Sequence, residues 1–81
     1  MNYKVIIEKK ALKFLDTQNQ KQRDRLLKNI YSLPYGDTKK MNGAGNLFRL
    51  RVGDYRVIYT INNNIVTIVV LTIGNRGDVY K

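Results

Sequence analysis

The sequence predicts an α+β domain in the order β-α-α-β-β-β, an antiparallel sheet with a helical hairpin packed on one face. Two periodicities carry this. Near the N-terminus, and again through the second half, apolar residues recur at every second position, as in a strand with one buried face. Between those stretches they recur at every third or fourth position, as in an amphipathic helix. The 81 residues contain no repeat, linker or low-complexity stretch, so the chain reads as one domain over 1–81.

Taken in order, Tyr3 to Ile7 reads as a short strand, with Tyr3, Val5 and Ile7 alternating against Lys4. Glu8 to Leu15 reads as a helix with an apolar stripe of Ala11, Leu12 and Leu15, and Glu8 suits the positive end of its dipole. Thr17-Gln18-Asn19-Gln20 has capping-box spacing and predicts the start of a second helix, in which Leu26, Leu27, Ile30 and Tyr31 share a face. Pro34 ends it. Tyr35 to Asn46 reads as a loop, closing on Asn42-Gly43-Ala44-Gly45-Asn46. Leu47 to Val52 and Tyr55 to Ile61 alternate as strands about a Gly53-Asp54 turn. Asn62-Asn63-Asn64 is the next turn, and the near-continuous apolar run Ile65 to Ile73 reads as a central strand.

Three successive strands joined by tight turns predict an antiparallel meander. Its apolar face, with Phe48, Leu50, Val52, Val57 and Tyr59, should meet the leucine stripe of the helices. That leaves Arg49, Arg51 and Arg56 on the open face. Like charges side by side on strands repel, so such a face is expected to serve binding rather than stability.

The charge balance points the same way. Fifteen Lys and Arg face six acids, a formal net charge of +9, which favours an anionic partner. The basic residues spread over helices, loop and strands rather than forming one amphipathic membrane helix. No apolar run is long enough for a signal peptide or a membrane span, and there is no cysteine. A cytoplasmic protein with no membrane partner is expected.

The absent residue types exclude much chemistry. Without histidine or cysteine there is no Ser-His or Cys-His pair and no His or thiolate metal ligand. The acids Glu8, Asp16, Asp24, Asp37, Asp54 and Asp78 are too scattered for a two-metal nuclease site. No cofactor and no metal are expected. Arg, Lys and Tyr remain, and they suit one reaction. The RNA 2′-OH can attack its neighbouring phosphate if a protein aligns the strand and stabilises the added negative charge.

The segments Lys40-Met41-Asn42-Gly43, Leu47 to Tyr59, Ile73-Gly74-Asn75-Arg76 and Val79-Tyr80 together resemble the RelE branch of the RelE/ParE toxins. The resemblance runs over nearly the whole chain. It implies a toxin of a toxin–antitoxin pair, a ribosome-dependent endoribonuclease that cuts mRNA in the A site by metal-independent 2′-OH attack. It places the active positions at Arg49 and Arg51 on one strand, Arg56 on the next, Arg76 after the last, and Tyr80 near the C-terminus. On that basis Arg49, Arg51 and Arg56 would hold the scissile phosphate and stabilise the transition state. Arg76 would act at the leaving oxygen, and Tyr80 would stack on or orient a base. Lys39, Lys40, Lys9, Lys13, Lys21 and Arg23 would grip RNA. In the family the strand positions are often Lys; here both are Arg, which barely deprotonates and is a poor general base.

Two alternatives stay open at this stage: a ParE-like inhibitor of DNA gyrase, and a catalytically weak RNA-binding homologue. Each implies a cognate acidic antitoxin that folds on binding. Ribosome and mRNA are the expected targets, and operator DNA would be met only through the antitoxin complex.

Overall fold

The structure, a computed structural model, describes residues 3–41 and 45–75. Its elements are β1 (Lys4–Ile7), α1 (Lys9–Asp16), α2 (Gln20–Ile30), β2 (Thr38–Lys40), β3 (Leu47–Val52), β4 (Tyr55–Asn62) and β5 (Thr67–Asn75). The expected β-α-α-β-β-β order holds, with one short strand added where a loop was expected. The strands form one sheet in the order β1-β5-β4-β3-β2.

The meander β3-β4-β5 is antiparallel, as the tight turns require. β1 departs from the expected antiparallel sheet: it pairs with β5 in parallel, Val5 beside Ile68 and Ile7 beside Val70. The helical hairpin is the crossover that returns the chain to the meander, and such a crossover is what a parallel pairing needs. β5 therefore has a neighbour on each side, which accounts for its apolar sequence. β2 exists because Thr38, Lys39 and Lys40 pair with Leu50, Arg49 and Phe48 along the edge of β3.

Two boundaries differ from expectation for local reasons. Thr17 does not start α2; its hydroxyl donates to the Phe14 carbonyl and closes α1. Asn19 caps α2 instead, its side chain accepting from the Gln22 amide at 2.9 Å. β5 begins at Thr67 rather than Ile65. The Asn62 side chain accepts from the amides of Asn64 and Ile65, and Val66 takes a φ of 48°, a conformation rare for a β-branched residue. The turn is thereby lengthened and Ile65 stays exposed.

The core lies between the sheet and the hairpin. Ala11 and Leu15 of α1 and Leu26 and Ile30 of α2 pack with Leu50, Val52, Val57, Tyr59, Ile68, Val70 and Ile73. Alternation alone would not place Val70 and Ile73 on the same side. Tyr59 pairs with Val70 and Ile58 with Thr72, so Leu71 has no partner on β4. This one-residue bulge switches the parity of β5 and brings both residues into the core. Phe48 stacks on Tyr59 across the β3–β4 pair at 5.5 Å, and Phe14 of α1 meets Tyr55 edge-on at 6.0 Å. Such pairs add about 0.5–1.5 kcal/mol each beyond area burial.

Tyr59 is a core residue, as its apolar neighbours suggested. Burial pushes its phenol above the ordinary value of 10.0, opposed by a hydrogen bond with Thr38. Because the folded chain holds this proton more tightly than the unfolded one, the associated stability is full below about pH 10 and is lost as pH rises through the folded pKa.

Leu50→Ala, at a fully buried position in the core between sheet and helices, should cost about 2–5 kcal/mol in urea unfolding; a loss below about 1 kcal/mol would contradict this packing. In an alkaline absorbance titration, the wild type should show a late tyrosinate step that disappears in Tyr59→Phe. Persistence of that step would place the raised phenol elsewhere.

Candidate nucleic-acid interface

The open face of the sheet is set by the β3–β4 register. A two-residue turn, Gly53-Asp54, joins Val52 to Tyr55, and Gly53 takes the left-handed φ of 58° that the first position of a type II′ hairpin requires. From this turn the pairing runs Val52 with Tyr55, Arg51 with Arg56, Leu50 with Val57 and Arg49 with Ile58. Directly opposed residues share a face. Leu50 and Val57 therefore go to the core, while Arg51, Arg56 and Arg49 go to the other side.

Arg51 and Arg56 are thus immediate cross-strand neighbours of like charge. The Arg51 amide donates away from β4, to the Asp37 carbonyl at 2.9 Å. The Arg51–Arg56 pair is therefore of the non-hydrogen-bonded kind, in which side chains lie closest. Beyond Arg49, β2 contributes Lys39, directly opposite it and on the same face. The result is a basic patch of Lys39, Arg49, Arg51 and Arg56 over three adjacent strands.

The patch is only partly neutralised. Asp37 accepts from Arg51 Nε at 2.9 Å, and this is the one ion pair among the described residues. With the side chains 47% and 55% exposed, such a pair contributes about 0–1 kcal/mol. It occupies one edge of the Arg51 guanidinium and steadies it through two contacts to the same residue, backbone and carboxylate. Arg56 turns back on the hairpin, where Nη1 donates to the carbonyls of Tyr55 at 3.1 Å and Gly53 at 3.3 Å. Neutral carbonyls orient the guanidinium without discharging it.

The other side of the same face differs. Ile6, Val69, Thr60 and Leu47 line up across β1, β5, β4 and β3, and Ile6 is exposed. The open face is therefore divided into an apolar row and a basic end next to the β3–β4 turn.

Not all the residues singled out in the sequence come together. Lys9 and Lys13 on α1, and Lys21 and Arg23 on α2, belong to the helical layer on the opposite side of the sheet. Lys40 lies on β2 opposite Phe48, on the helical side of the sheet edge. Arg76 and Tyr80 lie outside the described residues. The strand leading to Arg76 brings Gly74 opposite Arg56 and Asn75 opposite Tyr55, at the basic end of the face. Asp37 was not singled out as a site residue; it directly precedes β2, a three-residue strand too short for alternation to reveal. Among the described residues no cluster of carboxylates could hold a metal ion, and no helix is long and apolar enough to cross a membrane.

Comparison with known proteins agrees with this architecture. The model of the ParE toxin of type II toxin–antitoxin systems matches residues 5–80. The archaeal RelE–RelB complex of Pyrococcus horikoshii OT3 contains a chain 34% identical, with a TM-score of 0.78 over 96% of this chain and 99% of that one. The RelBE2 toxin–antitoxin complex of Mycobacterium tuberculosis aligns with a TM-score of 0.82 at 21% identity, over 94% of this chain and 100% of the other. Isolated E. coli RelE aligns with a TM-score of 0.73 at 22% identity, over 96% and 90%. At those lower identities the likeness is one of fold. A comparison with curated protein sequences returns no match. The chain belongs to the ParE toxin family of type II toxin–antitoxin systems, within the RelE/ParE superfamily.

Proposed function

We propose that this toxin is a ribosome-dependent endoribonuclease that cuts mRNA in the A site without a metal. The observation that carries the reading is the directly opposed Arg51–Arg56 pair on the open face, extended by Arg49 and Lys39. Juxtaposed cations with a single ion-pair partner among the described residues favour an anion between them, and an RNA phosphate has the charge and oxygen geometry that guanidinium forks match.

In the proposed reaction the RNA 2′-oxygen forms a bond to the adjacent phosphorus and the bond to the 5′-oxygen breaks. The products are a 2′,3′-cyclic phosphate and a 5′-hydroxyl. Negative charge builds on the non-bridging oxygens. Arg51 and Arg56 stabilise it, and Arg49 and Lys39 hold the strand on either side. Asp37 fixes Arg51 Nε and leaves its terminal nitrogens for phosphate. Arg76 stabilises or protonates the leaving oxygen, and Tyr80 orients a neighbouring base. Arginine does not accept the 2′-OH proton. That transfer falls to Tyr80 or to a group of the ribosome. DNA lacks the 2′-OH and is not a substrate.

The cognate partner is an acidic antitoxin. The proteins of similar fold from Pyrococcus horikoshii and Mycobacterium tuberculosis are toxin–antitoxin complexes, which supports this. A largely acidic segment on this face would neutralise the patch and cover its apolar row. Operator DNA is bound through that complex. The ParE description of the family model favours one second reading, inhibition of DNA gyrase. A gyrase inhibitor would not need a phosphate-shaped set of arginines.

Mapping of mRNA 5′ ends after induction of the toxin alone separates these readings. Cuts within translated codons are expected, and Arg56→Ala should reduce them about 10²–10³-fold, the usual cost of one transition-state donor. Arg76→Ala should also suppress cutting, and Tyr80→Ala should slow it. Growth arrest with intact mRNA and double-strand DNA breaks would overturn the ribonuclease reading in favour of gyrase.

A further inference from the structure

We infer that Arg25 is a further RNA-backbone contact, which carries the strand from the open sheet face over the β3–β4 turn towards α2. This rests on the RNA-cleaving role proposed above and extends its binding track to a residue outside the sheet.

Arg25 is an exposed residue of α2, in the helical layer. Its guanidinium nevertheless reaches the β3–β4 turn. A β-carbon added to Gly53 would lie 2.9 Å from Arg25 Nη2, closer than real β-carbons come to a neighbour, and at the tight distances of 3.0 Å from Nη1 and 3.2 Å from Cζ. Gly53 therefore has two roles. It supplies the left-handed φ of the turn, and its missing side chain leaves the space in which the Arg25 guanidinium lies. The carbonyl of the same residue accepts from Arg56 Nη1. Two guanidinium groups thus flank one residue of the turn, and the second of them faces Arg51 across the strands. Arg51, Arg56 and Arg25 form a row that begins on the open face, crosses the hairpin tip and ends at the helical layer.

A structural role for Arg25 would be expected to use the nearest acids. Asp54 occupies the same two-residue turn and Asp24 precedes Arg25 in the chain, yet among the described residues neither pairs with Arg25 or Arg56. Among the described residues only Arg51 has a carboxylate partner. Cations gathered at one turn while available acids stay apart make a site for an external anion. A polyanion with regularly spaced phosphates fits a row better than a single ion does. With one phosphate held by Arg51 and Arg56, Arg25 takes a neighbouring one. The RNA backbone then runs across the hairpin tip rather than along β3 and β4.

The test measures binding of the full chain to a short 2′-O-methyl RNA strand, which cannot be cleaved, over a range of salt concentrations. Each phosphate contact on a single strand contributes about 0.7 to the slope of log affinity against log salt. Arg25→Gln should lower the slope by about that amount and weaken binding several-fold, and Arg25→Lys should restore the slope. Lys4→Gln, at the far edge of the sheet, removes the same charge and should leave the slope unchanged. Thermal unfolding of each variant verifies that it is folded. A wild-type slope in Arg25→Gln, or an equal fall in Lys4→Gln, would overturn the role of Arg25 alone. Absence of salt-dependent binding by the wild type would overturn the RNA reading itself.

Discussion

The register of the β3–β4 hairpin is the constraint on which both core and site depend. Gly53 permits a two-residue turn, and that turn leaves one way to pair the strands. In that register Leu50 faces Val57 and Phe48 stacks on Tyr59, so the core face closes under the helices. The same register forces Arg51 against Arg56 on the other face. A slip of one residue would send the arginines inward and the leucine outward, which the core could not tolerate. The burial energy of the apolar face thus holds two like charges together. Most of that energy is gained on the helix-covered side of the sheet, opposite the arginines.

The β5 strand completes the arrangement. Its bulge at Leu71 keeps Ile68, Val70 and Ile73 in the core despite the change of parity, and its last residues run beside Arg56 and Tyr55. The basic end of the face is therefore where three strands terminate together: β3 and β4 at their turn, and β5 just before Arg76. A site built there is supported by the core beneath it. The lysines of α1 and α2 lie on the other layer, apart from the face that carries Arg51 and Arg56. Under the proposed function, contacts by those helices would fall at a distance from the scissile phosphate.

Much of the fold was legible because period-two alternation is a strong signal where one sheet face is buried. Phe48, Leu50 and Val52 against Arg49 and Arg51 needed no partner to be assigned to their faces. The parallel pairing of β1 with β5 was hidden, because it joins residues more than sixty positions apart and depends on the crossover. β2 was hidden by its length, since Thr38-Lys39-Lys40 offers no apolar period and gains its strand character only from β3. The capping-box spacing at Thr17 was ambiguous, because Asn19 two residues later is an equally good cap and Thr17 serves the preceding helix. For the site, alternation alone grouped Arg49, Arg51 and Arg56. The contacts of Asp37 and Arg25 needed three dimensions, since each reaches the hairpin from another element.

Retention of the opposed arginines for phosphate is tested most directly by NMR titration of the 15N-labelled chain with the 2′-O-methyl RNA strand, following the arginine side-chain Nε–H resonances. Arg51 and Arg56 are predicted to shift together and with one apparent affinity, as two donors to one phosphate. Shifts confined to Arg23 and Arg25 of the helical layer, with Arg51 and Arg56 unmoved, would contradict the account.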